Sequence, residues 1–269
     1  MERQKIKNKI ITVISSILII LSIGCFIFPS VSNTIGKQIA EKEVLQFEEQ
    51  TDNVVKNENY KEALGNGEID DKGYPINESG QRTSGVPLLF ETDLNRLYTD
   101  SIKYNEMLKS KQGNLLVDSY SYIKPSIDIT EYGIYNGIYG YISAPSVDIK
   151  LPLYLGASEE NMSYGAAHLT YTSLPIGGES TNCVIAGHTG YIGRIFFDNI
   201  RKLKIGDEIA VTNYWNTITY KVADTKVYKP NQSNDIFIEP NSDLLTLITC
   251  IGNNLSGFDR YYVICKRSK

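Results

Sequence analysis

The sequence predicts a mainly β fold: a closed barrel of seven or eight short strands with helical insertions, preceded by a helical segment and a membrane anchor. Three observations predict it. The first is composition: 19 Tyr against 8 Phe and one Trp, with frequent β-branched residues, favours half-buried pleated surfaces over a helical bundle. The second is punctuation. From Gly137 onward short runs of strand-forming residues alternate with turn residues, namely "IYGYISAP", "DIKLPLYL", "TNCVIAGH", "DEIAVTNY", "NTITYKVADTKVY", "LLTLITC" and "RYYVICK". The third is the N-terminus, where Arg3, Lys5, Lys7 and Lys9 precede an uncharged run from Ile10 to Phe28.

That run is about 19 residues long and reaches roughly 28 Å as a helix, enough for a bilayer core. The basic flank stays cytoplasmic, so the chain after Pro29 faces outward. No small-x-small cleavage site follows the run, and "LSIGC" has Ser22 where a lipobox wants an aliphatic residue, so an uncleaved anchor is expected. The organisation that follows is a cytoplasmic tail at 1–9, an anchor at 10–28, a polar and acidic stalk at 29–84, a helix-containing region at 85–136, and a barrel domain at 137–269. The stalk is helical near the membrane, loose afterwards, and carries no chemistry.

In "ETDLNRLYTDSIKYNEMLKSKQG", Leu94, Leu97, Tyr98, Ile102, Tyr104 and Leu108 recur at near-helical spacing, with Thr92 or Asp93 as cap and Gly113 as stop. Within the barrel domain a short helix is expected at "SEENMSYG", capped by Ser158, and a helical turn at "IFFDNIRKL". At 269 residues there is room for one substantial domain besides the anchor. The net charge of −4 leaves no basic footprint for nucleic acid.

The chemistry is narrowed by what is scarce. With Cys25 in the anchor, three cysteines lie outside, an odd number with no CxxC, and two His without HExxH cannot build a zinc cage. Neither metal nor cofactor is implied. A thiol nucleophile needs a base or a positive environment, and only His168 and His188 can serve as base. Strand alternation then separates the cysteines. Cys183 lies five residues before His188, and Cys265 five after Arg260, so each points away from that partner and reads as a core thiol. Cys250 remains, where "LLTLITC" gives way to the loop "IGNNLSGFD". His168, in "GAAHL", reads as a structural or groove-lining residue.

"IAGHTG" (Ile185 to Gly190), "TLITC" (Thr246 to Cys250) and Arg260 at the head of the last strand resemble, in that order, the His, TLxTC and Arg signatures of sortases. "GYISAPSVDIKLPLYLG" and "HLTYTSLPIGGES" resemble the early strands and following loop of class C, the pilin-polymerising sortases. The resemblance covers roughly Gly137 to Arg267 and implies an eight-stranded β-barrel. It implies Cys250 as nucleophile on the Thr–Gly carbonyl of an LPxTG-like sorting signal, His188 as general acid and then base, and Arg260 as holder of the oxyanion. The implied product is a transpeptide: the thioacyl-enzyme passes its acyl group to an amine from a pilin lysine or a cell-wall cross-bridge. A cysteine endopeptidase hydrolysing the same signal, or a non-catalytic surface β-domain, are the alternatives. The implied place is the membrane of a Gram-positive cell, catalytic domain outside.

Class C sortases also carry a D-P-aromatic lid over the cysteine. Here Asp118, Ser119 and Tyr120, in "LLVDSYSYIKPSIDITEYGI", stand at that place, without the Pro and its fixed φ. Asp118 is expected to pair with Arg260 and Tyr120 to cover Cys250. Class C members carry a second hydrophobic segment after the barrel where this sequence has "ICKRSK", so one tether is expected to serve.

Overall fold

The computed structural model describes residues 2–55, 60–70, 74–83, 94–115, 122–230, 232, 235–252 and 257–268. Eight strands close into a barrel: β1 (Ile138–Ala144), β2 (Ile149–Leu155), β3 (Ala166–His168), β4 (Thr181–Ala186), β5 (Glu208–Asn213), β6 (Thr217–Tyr228), β7 (Asp243–Gly252) and β8 (Phe258–Arg267). Their order around the barrel is β1-β2-β3-β4-β7-β8-β6-β5. The β2/β3 and β4/β7 pairs are parallel and the others antiparallel. Closure leaves no free sheet edge, which removes the unpaired amides an open sheet would present.

Alternation sorts each strand into two faces. Inward residues such as Cys183, Ile185, Leu245, Leu247, Val263 and Cys265 fill the barrel with Ile142, Leu153, Val211 and Tyr220. Outward residues Val184, Ile248 and Tyr262 join a second cluster with Leu169 and Ile236, against which Tyr122, Tyr228 and Phe237 pack. The seven strands expected from the sequence are present. The eighth, β3, has three residues, too few to display an alternation.

The helices are α1 (Glu2–Val55), α2 (Tyr60–Gly65), α3 (Leu94–Leu115) and α4 (Glu159–Tyr164). Ser158 caps α4 as expected, its hydroxyl accepting from the Asn161 amide at 3.1 Å. The helical turn expected in "IFFDNIRKL" is a 3-10 turn at Ile200–Lys202. Helix α3 continues two residues past Gly113, and its expected caps at Thr92 and Asp93 lie outside the described residues. Its buried stripe is Leu97, Ser101, Asn105, Leu108 and Gln112, while Tyr98 and Ile102 stay exposed. The seam is partly polar because it meets the Tyr139 hydroxyl, 3.0 Å from Ser101 Oγ, and loop backbone. Asn105 accepts from the Leu174 amide at 2.7 Å, and Gln112 accepts from the Ile238 amide at 2.8 Å and donates to the Tyr171 carbonyl at 3.0 Å.

Helix α1 departs most from the sequence expectation. Its first half is apolar and uncovered by protein, the one helix among the described residues long and apolar enough to cross a membrane. Its second half, expected as solvated stalk, is packed on the barrel. Gly36, Ala40, Val44 and Phe47 form a buried stripe at helical spacing, and the Phe47 ring meets those of Tyr141 and Tyr214 at 6.0 and 4.8 Å. Lys37 pairs with Asp148 at 2.7 Å and Glu48 with Lys150 at 3.0 Å, while Glu43 accepts from Tyr154. The abundant acids of this segment mask the four-residue stripe. Farther on, isolated antiparallel bridges pair Ile69 with Pro75 and Ile76 with Arg82, and Arg82 pairs with Asp70 at 2.7 Å.

Candidate active site

The site forms where β7 runs between β4 and β8. On one side Cys250 is the direct register partner of Arg260, and Ile248 of Tyr262. Ile248 and Tyr262 belong to the outer-face cluster, so alternation puts Cys250 and Arg260 on that same outer face. Directly opposed side chains on adjacent strands have Cβ atoms about 4.5–5.5 Å apart, within reach of a long guanidinium arm. Cys250 lies within β7, two residues before its end, rather than at its boundary. All of Cys250, Arg260 and His188 are half-buried.

On the other side β4 pairs in parallel with β7 as far as Ala186 opposite Ile248. The chain then continues alongside β7. The Gly187 amide donates to the Ile248 carbonyl at 3.1 Å, and the Thr249 hydroxyl donates to the Gly187 carbonyl at 2.7 Å. With its proton so used, Thr249 Oγ1 accepts from Thr189 Oγ1 at 2.6 Å. The residues on both sides of His188 are thus tied to the residue that precedes Cys250. His188 lies between these two tied residues, and the β4/β7 register, if continued past Ala186, would set it level with residue 250. Its ring stacks on Tyr191 with centroids 5.2 Å apart and lies 6.4 Å from Phe196.

The loop that follows is folded back on itself. The His188 carbonyl accepts from the Phe197 amide at 2.9 Å, and the Asp198 carboxylate accepts from the Gly190 and Phe196 amides at 2.7 and 3.0 Å. Gly187 has no room for a side chain: a Cβ there would stand 2.6 Å from the Phe197 ring. Burial lowers the pKa of His188 below its ordinary value, and the Glu159 carboxylate opposes the shift. At neutral pH its imidazole is mostly neutral.

Cys183, Cys265 and His168 are buried. Cys183 and Cys265 are buried in the barrel core, where burial pushes the first thiol well above its ordinary range and the second up to about 12. His168 is fully buried at the end of β3, with Nε2 facing the Thr172 and Ser173 carbonyls at 3.2 and 3.0 Å. Burial brings its pKa down to about 4, and its ring nitrogens are engaged by these carbonyls and by the Thr172 and Ser126 hydroxyls.

Asp118 and Tyr120 lie outside the described residues. Thr249, Asp198 and Tyr191 were not foreseen. Thr249 had a sequence signal for its face alone, since alternation places it opposite in face to Cys250. Asp198 had none.

The family model described as the Sortase domain matches residues 142–268. Sortase A of Bacillus anthracis is 32% identical over 114 residues, 42% of this chain and 52% of that protein. This chain therefore spans about half the length of that relative. Sortase A of Listeria monocytogenes is 30% identical over 156 residues, 56% of this chain and 68% of that protein. The chain belongs to the sortase family. Among solved structures, the pilus-related sortase C of Group B Streptococcus is 33% identical with a TM-score of 0.56, over 65% of this chain and 89% of that one. The fold of this sortase is thus of the class C kind. The motif order read from the sequence, His188 then Cys250 then Arg260, falls wholly inside the matched region.

Proposed function

We propose that this sortase is a cysteine transpeptidase in which Cys250 attacks, His188 carries the proton and Arg260 steadies the oxyanion. The observation supporting this most directly is the alignment across three neighbouring strands: the continuation of β4 carrying His188, Cys250 on β7, and Arg260 opposite it on β8. The Cys250 thiolate adds to the Thr–Gly carbonyl of an LPxTG-like sorting signal, forming a C–S bond and a tetrahedral oxyanion. Arg260, a fixed cation with forked donors, stabilises that charge. As the oxyanion collapses the C–N bond breaks, and the His188 imidazolium gives its proton to the departing amine. The thioester then accepts an incoming amine, His188 takes its proton, and the thiolate leaves.

The lowered pKa of His188 makes its imidazolium, the proton donor of the first step, scarce at neutral pH in the free enzyme.

A pilin lysine is the preferred amine, on the likeness to the pilus-related sortase C; a cell-wall cross-bridge is the other. The domain plan follows the sequence: cytoplasmic tail at 1–9, anchor at 10–28, and the catalytic barrel at 137–269 on the outer face of a Gram-positive cell. The exposed apolar half of α1 and its basic flank support it. A lid from Asp118 to Tyr120 belongs to the same reading. Its support is Tyr122, two residues on, which packs against the outer-face cluster containing Ile248. The test is mass spectrometry of the protein after incubation with LPxTG-like peptides, with and without an added amine. A thioester on Cys250 that amine converts to a new amide is the expected result. Its absence from wild type, or its persistence in Cys250→Ala, refutes the assignment; release by water alone makes the protein an endopeptidase.

A further inference from the structure

We propose that the loop after β4, residues 189–195, rests on the bilayer surface, with Ile192 and Ile195 among the lipid headgroups beside the point where α1 leaves the membrane. The inference builds on the reading of α1 as an anchor. It starts from a backbone contact. Gly36 of α1 lies against the loop so closely that a methyl group there would collide with the Gly193 carbonyl oxygen. A methyl on Gly193 would in turn strike Ser32 Oγ. Gly190 and Gly193 adopt positive φ, 71° and 82°, so the loop turns sharply on both sides of Ile192.

The depth follows from helix geometry. The apolar run ends at Phe28, and Ser32 is four residues farther, about 6 Å along the axis. The headgroup layer is roughly 5–7 Å thick on each side of the hydrocarbon. Gly193, touching Ser32, therefore lies at headgroup depth, and the tip lies beside it. Ile192 is 83% exposed and Ile195 46%, and Tyr191 is exposed as well. Single exposed apolar residues are ordinary on a soluble surface. Three within five residues, on a loop braced against the stem of a membrane helix, make an interfacial surface. Arg194 completes it: its guanidinium lies 5.4 Å from the Tyr164 ring, positioning its cation at the rim of the apolar tip.

The occupant is therefore the bilayer that holds α1, not a second copy of the chain. The contact bears on the site, because Tyr191 stacks on His188. The bilayer then forms one wall of the loop that holds the imidazole.

The test uses the full chain in lipid vesicles, with tryptophan as a depth reporter. The single native tryptophan, Trp215, is subtracted using the wild type. Ile192→Trp and, as a second position, Ile195→Trp are compared with Val227→Trp, an exposed site on β6, and Ile19→Trp at the middle of the apolar run. Lipids carry a spin label either near the headgroup or deep in the acyl chain. The expected result is a blue shift and loss of most emission at residues 192 and 195 with the shallow label, none at 227, and quenching at 19 with the deep label. Quenching at 19 without quenching at 192 and 195 overturns the docking and leaves the anchor standing. No quenching at 19 overturns the anchor and the docking with it. A blue shift at 192 without lipid quenching means that protein covers the loop, and also overturns the proposal.

Discussion

Thr249 decides whether His188 is held by the barrel or merely lies near it. Its side chain is 2% exposed, donates to the Gly187 carbonyl at 2.7 Å and accepts from Thr189 at 2.6 Å. Thr249→Val keeps the branched shape and removes the hydroxyl. Two hydrogen bonds disappear, and the Gly187 carbonyl loses its side-chain donor, which costs about 1–3 kcal/mol where water cannot replace it. Part of that cost is relieved if residues 187–189 swing away from β7, and His188 goes with them. A displacement near 1 Å of a reacting group costs up to about 10²-fold in rate. The rate of thioester formation on Cys250 is therefore expected to fall by about 10- to 100-fold, while alkylation of Cys250 by iodoacetamide, which needs no proton donor, changes far less. Thr249→Ser restores the hydroxyl and most of the rate. Wild-type acylation in Thr249→Val would refute the tether, and an equal loss in Thr249→Ser would assign the effect to packing.

Three further outcomes follow from the same geometry. Because burial lowers the pKa of His188, the acid limb of the kcat/KM profile should fall below the ordinary histidine value near 6.5, and Glu159→Gln, which removes the opposing charge, should move it lower still. An acid limb above 6.5, or an upward move in Glu159→Gln, contradicts this. His168 titrates at about 4 in the fold and near 6.5 unfolded, so between these values the unfolded chain binds a proton that the native state refuses. Its share of stability is intact above about pH 6.5 and is lost as pH falls toward about 4, reaching roughly 3 kcal/mol; denaturation of His168→Gln across that window should show a flatter pH dependence than wild type. Gly187→Ala drives a methyl into the fully buried Phe197 ring, an overpacking worth about 1–3 kcal/mol, read as a lower Tm together with slower acylation. Unchanged values of both would show that the ring has room to move.

Where the sequence was legible, a short-period rule applied to a long enough element. Alternation along "TNCVIAGH", "LLTLITC" and "RYYVIC" assigned Cys183 and Cys265 to the core and left Cys250 outside, and the barrel places all three so. The rule says which face a residue takes but not which strands are neighbours. That β7 lies between β4 and β8, bringing the chain that follows β4 to one side of it and Arg260 to the other, depends on long-range pairing that no local pattern encodes, and only the motif resemblance anticipated it. The misreadings share a physical origin in part. Helix α3 buries Ser101 against the Tyr139 hydroxyl and Asn105 and Gln112 against backbone groups, and α1 buries Gly36 because close backbone approach, not side-chain bulk, makes that contact. An apolar-period search finds surfaces that hide hydrocarbon from water. It passes over surfaces that join by hydrogen bonds or by the absence of a side chain, and those are the surfaces that here join the barrel to α3 and to the membrane helix.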